Sequence, residues 1–244
     1  MSIITINYNN LVGLKRTIES VISQLNETIE FIVIDGGSTD GSKMLIESNQ
    51  QSISKWVSEK DEGIYYAQNK GISMATGEYC LFLNSGDYLY ERDTLNKVLP
   101  TLQWYDIVYG NMKIENHNEL SDGFMPSKIN LRQMMSDTLW HPVAFIKRQL
   151  FFDYGFYNTE YKICADYDFF FKVIIVNKVN CFHIHHFISV FDLKGFSSDI
   201  KNKSQILHER EAVQATYLSR KQINNYKRKQ FLINKLNRIK SWFL

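Results

Sequence analysis

The sequence predicts a single α/β domain, a mostly parallel central sheet flanked by helices, carrying a helical C-terminal tail. Three observations carry that prediction. Short apolar or β-branched runs alternate with segments of helical periodicity through the N-terminal half. Three of those runs end in polar turns, at residues 7–10, 35–40 and 84–87. No Pro/Gly/Ser linker and no internal repeat interrupts the 244 residues, a length that can bury one sizeable core.

The elements follow in order. Residues 3–6 are a short β-branched strand closed by Asn7-Tyr8-Asn9-Asn10. Leu14, Ile18, Val21, Ile22 and Leu25 then recur at helical spacing. Residues 30–34 read as a second strand, closed by Asp35-Gly36-Gly37-Ser38-Thr39-Asp40-Gly41. Met44, Leu45 and Ile46 fit a second helix, and Lys55–Ser58 a third strand. Residues 67–75 read as a helix with Gly77 just past its end. Residues 79–83 form a strand ending at Asn84-Ser85-Gly86-Asp87, and Thr94–Leu102 a helix. Beyond this the pattern loosens. It predicts a hairpin from 107–110 and 112–115, a strand at 143–146 and a helix at 166–176. Two strands at 181–184 and 188–191, a loop at 194–197 and a helix at 199–219 complete it.

Composition excludes several classes. Gly at 12, Pro at 3 and a 44% hydrophobic content rule out collagen-like and disordered chains. Cys80, Cys164 and Cys181 are widely spaced, without a CxxC, so they read as buried thiols in a reducing compartment. The apolar run at residues 2–6 is too short and lacks the basic flank of a signal peptide. No run reaches the ~20 apolar residues of a membrane span. The expected location is therefore cytoplasmic.

In parallel sheets, ligands sit outside the carboxyl ends of the strands. Asp35 follows a buried-looking strand, and Gly36-Gly37 let a ligand approach the backbone. Asp, Asn and Gly are also ordinary turn formers, which is the competing reading of all three turns. Neither GxGxxG nor GxxxxGK[ST] is present, so a phosphate-bearing ligand would need another counter-charge. Asp87 offers the hard oxygen that Mg²⁺ or Mn²⁺ prefers, although a helix-capping aspartate would look the same.

These motifs together resemble family 2 glycosyltransferases. The strand-turn at 2–10, the DGGSTDGS run at 35–42, Asp61-Glu62-Gly63-Ile64-Tyr65 with Asn69-Lys70-Gly71, and Phe82-Leu83-Asn84-Ser85-Gly86-Asp87 stand in that family's order. The resemblance spans roughly residues 1–210. It implies a GT-A (Rossmann-like) domain over 1–211, with a nucleotide-sugar half at 1–103 and an acceptor and base half at 104–211. It implies transfer of a sugar from a nucleotide-diphosphate donor, UDP-linked by preference, to an acceptor hydroxyl with inversion. Saccharides or lipid-linked saccharides would be the acceptors, in building cell-surface polysaccharide, capsule or lipopolysaccharide. The alternatives are a sugar-nucleotide nucleotidyltransferase and a catalytically silent nucleotide- or sugar-binding module. The first would want a phosphate loop richer in Gly and Lys/Arg than residues 7–10.

The resemblance also implies roles. Asn7, Tyr8 and Asn9 would line the nucleotide pocket, with Tyr8 near the base. Asp35 would hydrogen-bond the base or ribose beside Gly36. Asp61, Asn69 and Lys70 would face the donor, as would Asn84 and Ser85. Asp87 matches the last acid of the metal motif, whose first acid is here Asn84, one negative charge fewer for an Mn²⁺ or Mg²⁺ ion. Asp166, in Ala165-Asp166-Tyr167-Asp168, takes the position of the catalytic base. His141 and Asp168 would serve the acceptor side, and Gly195 with Ser197 a loop over the donor. His183 and His185 share one strand face, so one could ligate a metal, although half-buried histidines are the commoner outcome. The aromatic run 151–171 reads mainly as core, with Tyr154, Tyr157 and Tyr161 as candidates for stacking on an acceptor sugar.

The charge is uneven. The net +2 hides a tail, residues 212–244, with eight basic groups and no acid, against 20 basic and 26 acidic groups in residues 1–211. In the tail Leu232, Leu236, Ile239 and Phe243 fall on one helical stripe with Trp242 beside it. A basic amphipathic helix over 220–244 is the pattern of a membrane-surface element; packing on its own domain or on a second subunit is the other reading. Near-neutral overall charge argues against a nucleic-acid partner.

Overall fold

The computed structural model describes residues 1–117, 119–193, 195 and 199–240. Among these described residues, nine strands form one sheet. They are β1 (Ser2–Asn7), β2 (Glu30–Asp35), β3 (Lys55–Ser58), β4 (Tyr79–Phe82), β5 (Tyr88–Leu89), β6 (Ile107–Asn116), β7 (Glu119–Gly123), β8 (Ala144–Lys147) and β9 (Cys181–Asp192). Their order is β3-β2-β1-β4-β8-β6-β9-β5, with β7 paired to β6. The first four run parallel, and β6 and β9 run parallel to each other. β8 is antiparallel to both β4 and β6, so it stitches the two halves together.

The helices cover the sheet. α1 (Leu11–Ile22) buries Leu14, Ile18 and Val21, the predicted stripe. Burying each such aliphatic side chain contributes about 1.5–3 kcal/mol. Asn10 starts α1 by accepting from Gly13 N at 3.1 Å, and its amide also donates to Ser85 O at 3.0 Å. One residue thus ties the turn after β1 to the turn after β4. α2 (Ser42–Ser48) and α3 (Ile64–Met74) follow β2 and β3. α3 lies directly on β1, because a methyl group at Gly71 would stand 2.4 Å from Ile4 Cγ2. α4 (Thr94–Leu102) buries Leu95, Val98 and Leu102. Among the described residues, no helix is long and apolar enough to cross a membrane.

The second half differs from its sequence pattern in specific ways. The expected hairpin over 107–115 is one ten-residue strand, β6, and its hairpin partner is β7. Gly110 stands where the pattern expects a turn, but its Cβ would come within 2.6 Å of His186 O. The glycine admits a bulge in β9. The register steps from Tyr109↔His183 to Asn111↔Phe187 there, so the two expected strands are one. Two short helices go beyond the sequence pattern, α5 (Leu131–Ser136) and α6 (Gln149–Tyr154), and the expected helix at 166–176 is α7 (Ala165–Phe170), which hands over to a π-helical turn at Phe171–Val176.

α8 (Lys203–Tyr217) crosses the expected boundary at 211/212. Val213 is fully buried, and Gln214 Nε2 donates to Tyr167 Oη at 3.0 Å. The body of the domain therefore runs to the end of α8. α9 (Arg220–Lys240) carries the basic tail, with Phe231 and Leu232 exposed. Trp242 and Phe243 lie outside the described residues, as do the side chains of Leu236 and Ile239.

Candidate functional site

The carboxyl ends of β1, β2 and β3 meet at Asp35. Its Oδ1 accepts from Asn7 Nδ2 at 2.8 Å and Ser38 Oγ at 2.5 Å, and its Oδ2 from Ser38 N at 3.0 Å and Ser58 Oγ at 2.6 Å. Burial alone would raise this carboxyl, but the bonds from Ser38, Ser58 and Asn7 hold it below its ordinary value. All four bonds come from the protein, and the residue is fully buried. Asp35 is thus the keystone of the loop, its two oxygens engaged by four donors of the protein itself.

The unspent acceptor lies next door. Asp61 Oδ1 pairs with Lys70 Nζ at 2.7 Å, whereas Oδ2 is buried with no partner. A Cβ at Gly36 would stand 3.3 Å from Tyr8 Cδ2 and 3.7 Å from Asp61 Oδ2. The glycine therefore keeps open the space between an exposed tyrosine ring and an orphaned acidic oxygen. Burial works against the Lys70 ammonium, but Asp61 and Glu59 beside it raise it above its ordinary value. Asn9 holds the neighbouring loop, its Oδ1 accepting from Thr39 N at 2.8 Å and its N donating to Ser38 Oγ at 2.8 Å. Asn69 departs from expectation: both ends of its amide bind the Tyr157 backbone, at 2.8 and 3.0 Å, so it clamps α3 to the loop before α7.

The turn after β4 sits between this pocket and α7. Gly86 takes φ +110°, a left-handed conformation that glycine adopts without strain. Thr17 Oγ1 donates to Asp87 O at 2.6 Å and accepts from Gly86 N at 3.0 Å, fixing the turn. Below it Arg16 reaches Gly86 O at 2.7 Å, Asp192 Oδ2 at 3.1 Å and Glu115 Oε2 at 2.5 Å, and stacks on Tyr88. Asp87 is buried, with Asp192 N donating to Oδ1 at 3.2 Å. Burial pushes its carboxyl up to about 7, with the His141 charge as the chief opposing influence.

The base candidate is held on three sides. Asp166 Oδ1 accepts from Tyr167 N at 2.8 Å and Tyr65 Oη at 3.1 Å, and His141 Nδ1 lies 3.4 Å from Oδ2. His141 Nε2 is 3.1 Å from Asn84 Nδ2, so the Asn84 turn and Asp166 are joined through one ring. Burial first, and the Asp166 charge second, raise Tyr65 well above its ordinary value, keeping it a hydrogen-bond donor. Asp168 points elsewhere. It is buried and accepts from Tyr217 Oη on α8 at 2.9 Å, which makes it a packing link and not an acceptor contact. Tyr157 is likewise core, 3% exposed. Gly195 follows β9, and Ser197 lies outside the described residues.

Sequence reading missed Glu209. It lies on α8, is buried, and accepts from the backbone N of Lys162, Ile163 and Cys164 at 2.9–3.0 Å. Nothing in its local sequence, His208-Glu209-Arg210-Glu211, separates it from surface charge. His183 Nε2 donates to Asn111 Oδ1 at 3.1 Å, and its ring stacks edge-on with His185. Among the described residues no group of three or more His, Cys, Asp or Glu is arranged to hold a metal. A cleft of about 820 Å³ lined by Tyr109, Ile129, Ile174, Cys181 and Tyr217 lies apart from the pocket, the turn and the base.

Residues 2–176 match the model of glycosyl transferase family 2. The chain belongs to that family. It is 31% identical over 174 residues to a PGL/p-HBAD biosynthesis glycosyltransferase of Mycobacterium bovis, covering 69% of this chain and 67% of the relative. An uncharacterized glycosyltransferase of Mycobacterium tuberculosis is 30% identical over 184 residues, covering 72% and 69%. Among solved structures, S. aureus TarS 1-349 in complex with UDP-GlcNAc superposes with a TM-score of 0.65 at 19% identity, over 78% of this chain and 58% of that one. Mannosyltransferase PcManGT from Pyrobaculum calidifontis, in complex with GDP-Man and Mn²⁺, gives 0.59 at 18% identity, over 78% and 56%. This chain thus spans less than two thirds of those solved structures. The fold is GT-A, and the protein is a family 2 glycosyltransferase.

Proposed function

We propose that this glycosyltransferase moves a sugar from a nucleotide-diphosphate donor to an acceptor hydroxyl with inversion, using Asp166 as general base. The observation that carries the proposal is the span of the site. At one end the exposed Tyr8 ring and the buried, orphaned acid oxygen Asp61 Oδ2 both stand close to Gly36. A carboxylate fixed by Tyr65, Tyr167 and His141 lies at the other, and the Asn84–Asp87 turn stands between them. In that layout Tyr8 covers the base, and Asp61 accepts from a base or ribose donor. Asn7, Asn9 and Gly36 shape the pocket, and Ser85 and Lys70 border the donor. Asp166 takes the proton of the acceptor hydroxyl as its oxygen attacks the anomeric carbon, and the nucleoside diphosphate leaves from the opposite face.

The donor set suits a divalent cation with Asp87 as its protein ligand. A carboxyl whose burial raises it to about 7 is one that a cation would hold ionised. Asp87 would supply the one carboxylate through which the chain would hold Mg²⁺ or Mn²⁺. Bound there, it would offset charge on the departing diphosphate. We favour a UDP-linked sugar as donor, since TarS was solved with UDP-GlcNAc and with UDP. The acceptor we favour is a saccharide or lipid-linked saccharide in cell-surface polysaccharide synthesis, capsule and lipopolysaccharide among them. The basic helix over 220–240, with exposed Phe231 and Leu232, supports docking on the inner face of the membrane. A thermal-shift screen of nucleotide sugars with Mn²⁺, followed by donor hydrolysis assays, tests the reading. The expected result is one preferred base and sugar, slowly hydrolysed. No stabilisation by any nucleotide sugar would defeat it.

A further inference from the structure

The cleft of about 820 Å³ reaches the start of α9, and a second of about 370 Å³ continues it, since Leu131 and Gln222 line both. The lining is largely apolar, with Ile129, Leu131, Ile174, Val179 and Leu218 in the first cleft and Ile233 in the second. Tyr109 and Tyr217 add ring surface, because their hydroxyls are spent inside the protein, on Pro126 O and Asp168 Oδ1, each at 2.9 Å. The π-helical turn after α7 delivers Ile174, Ile175 and Val176 to this lining, and such turns recur at functional sites. A cleft of this size and lining has the make-up of a small-molecule site.

The polar groups at its edge are of one sign. Lys128 and Lys178 border the first cleft, and Arg132 and Lys229 the second. All four are exposed, and among the described residues none of them is in an ion pair. Six lysines elsewhere on the body, Lys55, Lys70, Lys97, Lys113, Lys147 and Lys172, do have carboxylate partners. No Asp or Glu lines either cleft. An apolar floor under unpaired cations complements a ligand with an apolar chain and an anionic head.

We propose that the joined clefts bind one anionic phospholipid of a membrane, its acyl chains along the apolar floor and its phosphate at the cationic edge. The site rests on the membrane docking read from α9, and it deepens that reading. Gln222, Tyr226 and Ile233 line the second cleft, whereas Arg228, Phe231, Leu232 and Lys235 are exposed at i, i+3, i+4 and i+7. The outer face of α9 thus supplies adhesion to a surface, and the cleft captures a single lipid. Stable anchoring takes two such signals.

The test uses the full chain and a monomeric probe, so that surface adhesion does not count. Dihexanoyl phosphatidylglycerol, below its micelle concentration, is titrated by calorimetry beside dihexanoyl phosphatidylcholine and inorganic phosphate. The expected result is one saturable site for phosphatidylglycerol, about tenfold or more tighter than for phosphatidylcholine, with no binding of phosphate. Lys128→Glu/Lys178→Glu should weaken that binding about tenfold or more, with donor hydrolysis unchanged. Should that variant fail to fold, Val176→Glu, at another exposed lining position, takes its place. Arg228→Glu/Lys235→Glu should reduce sedimentation with phosphatidylglycerol vesicles and leave the monomeric lipid bound as in the wild type. Equal affinity for the two lipids, phosphate binding as tightly as the lipid, or phosphatidylglycerol binding unchanged in the cleft variant overturns the site. Vesicle binding without binding of the monomeric lipid also overturns it and leaves docking by α9 standing. Binding of the monomeric lipid without vesicle sedimentation keeps the site and defeats the docking.

Discussion

Replacing Asp87 with asparagine should make the protein more stable at neutral pH while removing activity. The folded carboxyl releases its proton near pH 7, and the unfolded one near its ordinary value of 3.8. Between those values the native state binds more protons than the unfolded state. Stability supplied by the protonated group is complete below 3.8 and is lost as pH rises through 7. At about 1.36 kcal/mol per pH unit, that rise corresponds to at most about 4 kcal/mol of destabilisation above pH 7. The substituted amide is isosteric with the carboxyl and can keep the acceptor for Asp192 N, so the variant should recover most of it. The assay is urea unfolding of both proteins, metal-free, from pH 4 to 8. Other carboxyls titrate in the opposite sense, Glu30 being lowered to about 2, so the informative quantity is the difference between the two proteins at each pH. That difference should be small at pH 4 and grow to about 2–4 kcal/mol at pH 8. A difference that does not change with pH would refute the reasoning.

Further outcomes follow from the same geometry. Asp166→Asn should lower kcat by about 10²–10⁴-fold with the melting temperature unchanged, read in a donor-to-acceptor assay. Asp61→Ala should raise donor KM about tenfold, because it removes both the orphaned acceptor and the Lys70 partner, measured by steady-state kinetics at fixed acceptor. Asn69→Ala should cost about 2 kcal/mol in denaturant unfolding, since it cuts two bonds to the Tyr157 backbone, with donor KM little changed. Glu209→Leu should destabilise by about 3 kcal/mol or more, and even where folded should lower kcat, because three backbone N–H groups just before Asp166 lose their acceptor.

What could be read from the sequence, and what could not, divides along physical lines. The turns after β1, β2 and β4 were legible because Gly, Asn and Asp at a strand end are chosen for backbone reasons that local spacing displays. Gly36 and Gly86 are where the turns require them. How a side chain spends its hydrogen-bonding capacity was not legible. Asp35 has the look of a ligand contact, but Ser38 and Ser58, one local and one on a neighbouring strand, engage it. Asn69 stands in the family's order of motifs, yet its amide faces a loop 88 residues away. Gly110 mimics a turn because a close approach by another strand demands the same residue. The stitch formed by antiparallel β8 also depends on distant pairing that no local period records.

The buried Glu209 carries a lesson about where this enzyme ends. The family match stops at residue 176, and the turns after β1, β2 and β4 and Asp166 all lie before it. Yet the loop that delivers Asp166 hangs from Glu209, and the helix that bears it is tied through Asp168 to Tyr217. A shortened gene stopping where the motifs stop would encode all of the named chemistry and lack the scaffold that aims it. For anyone recombining such domains, the unit to be moved is the cooperative one, which runs through α8, rather than the recognisable one.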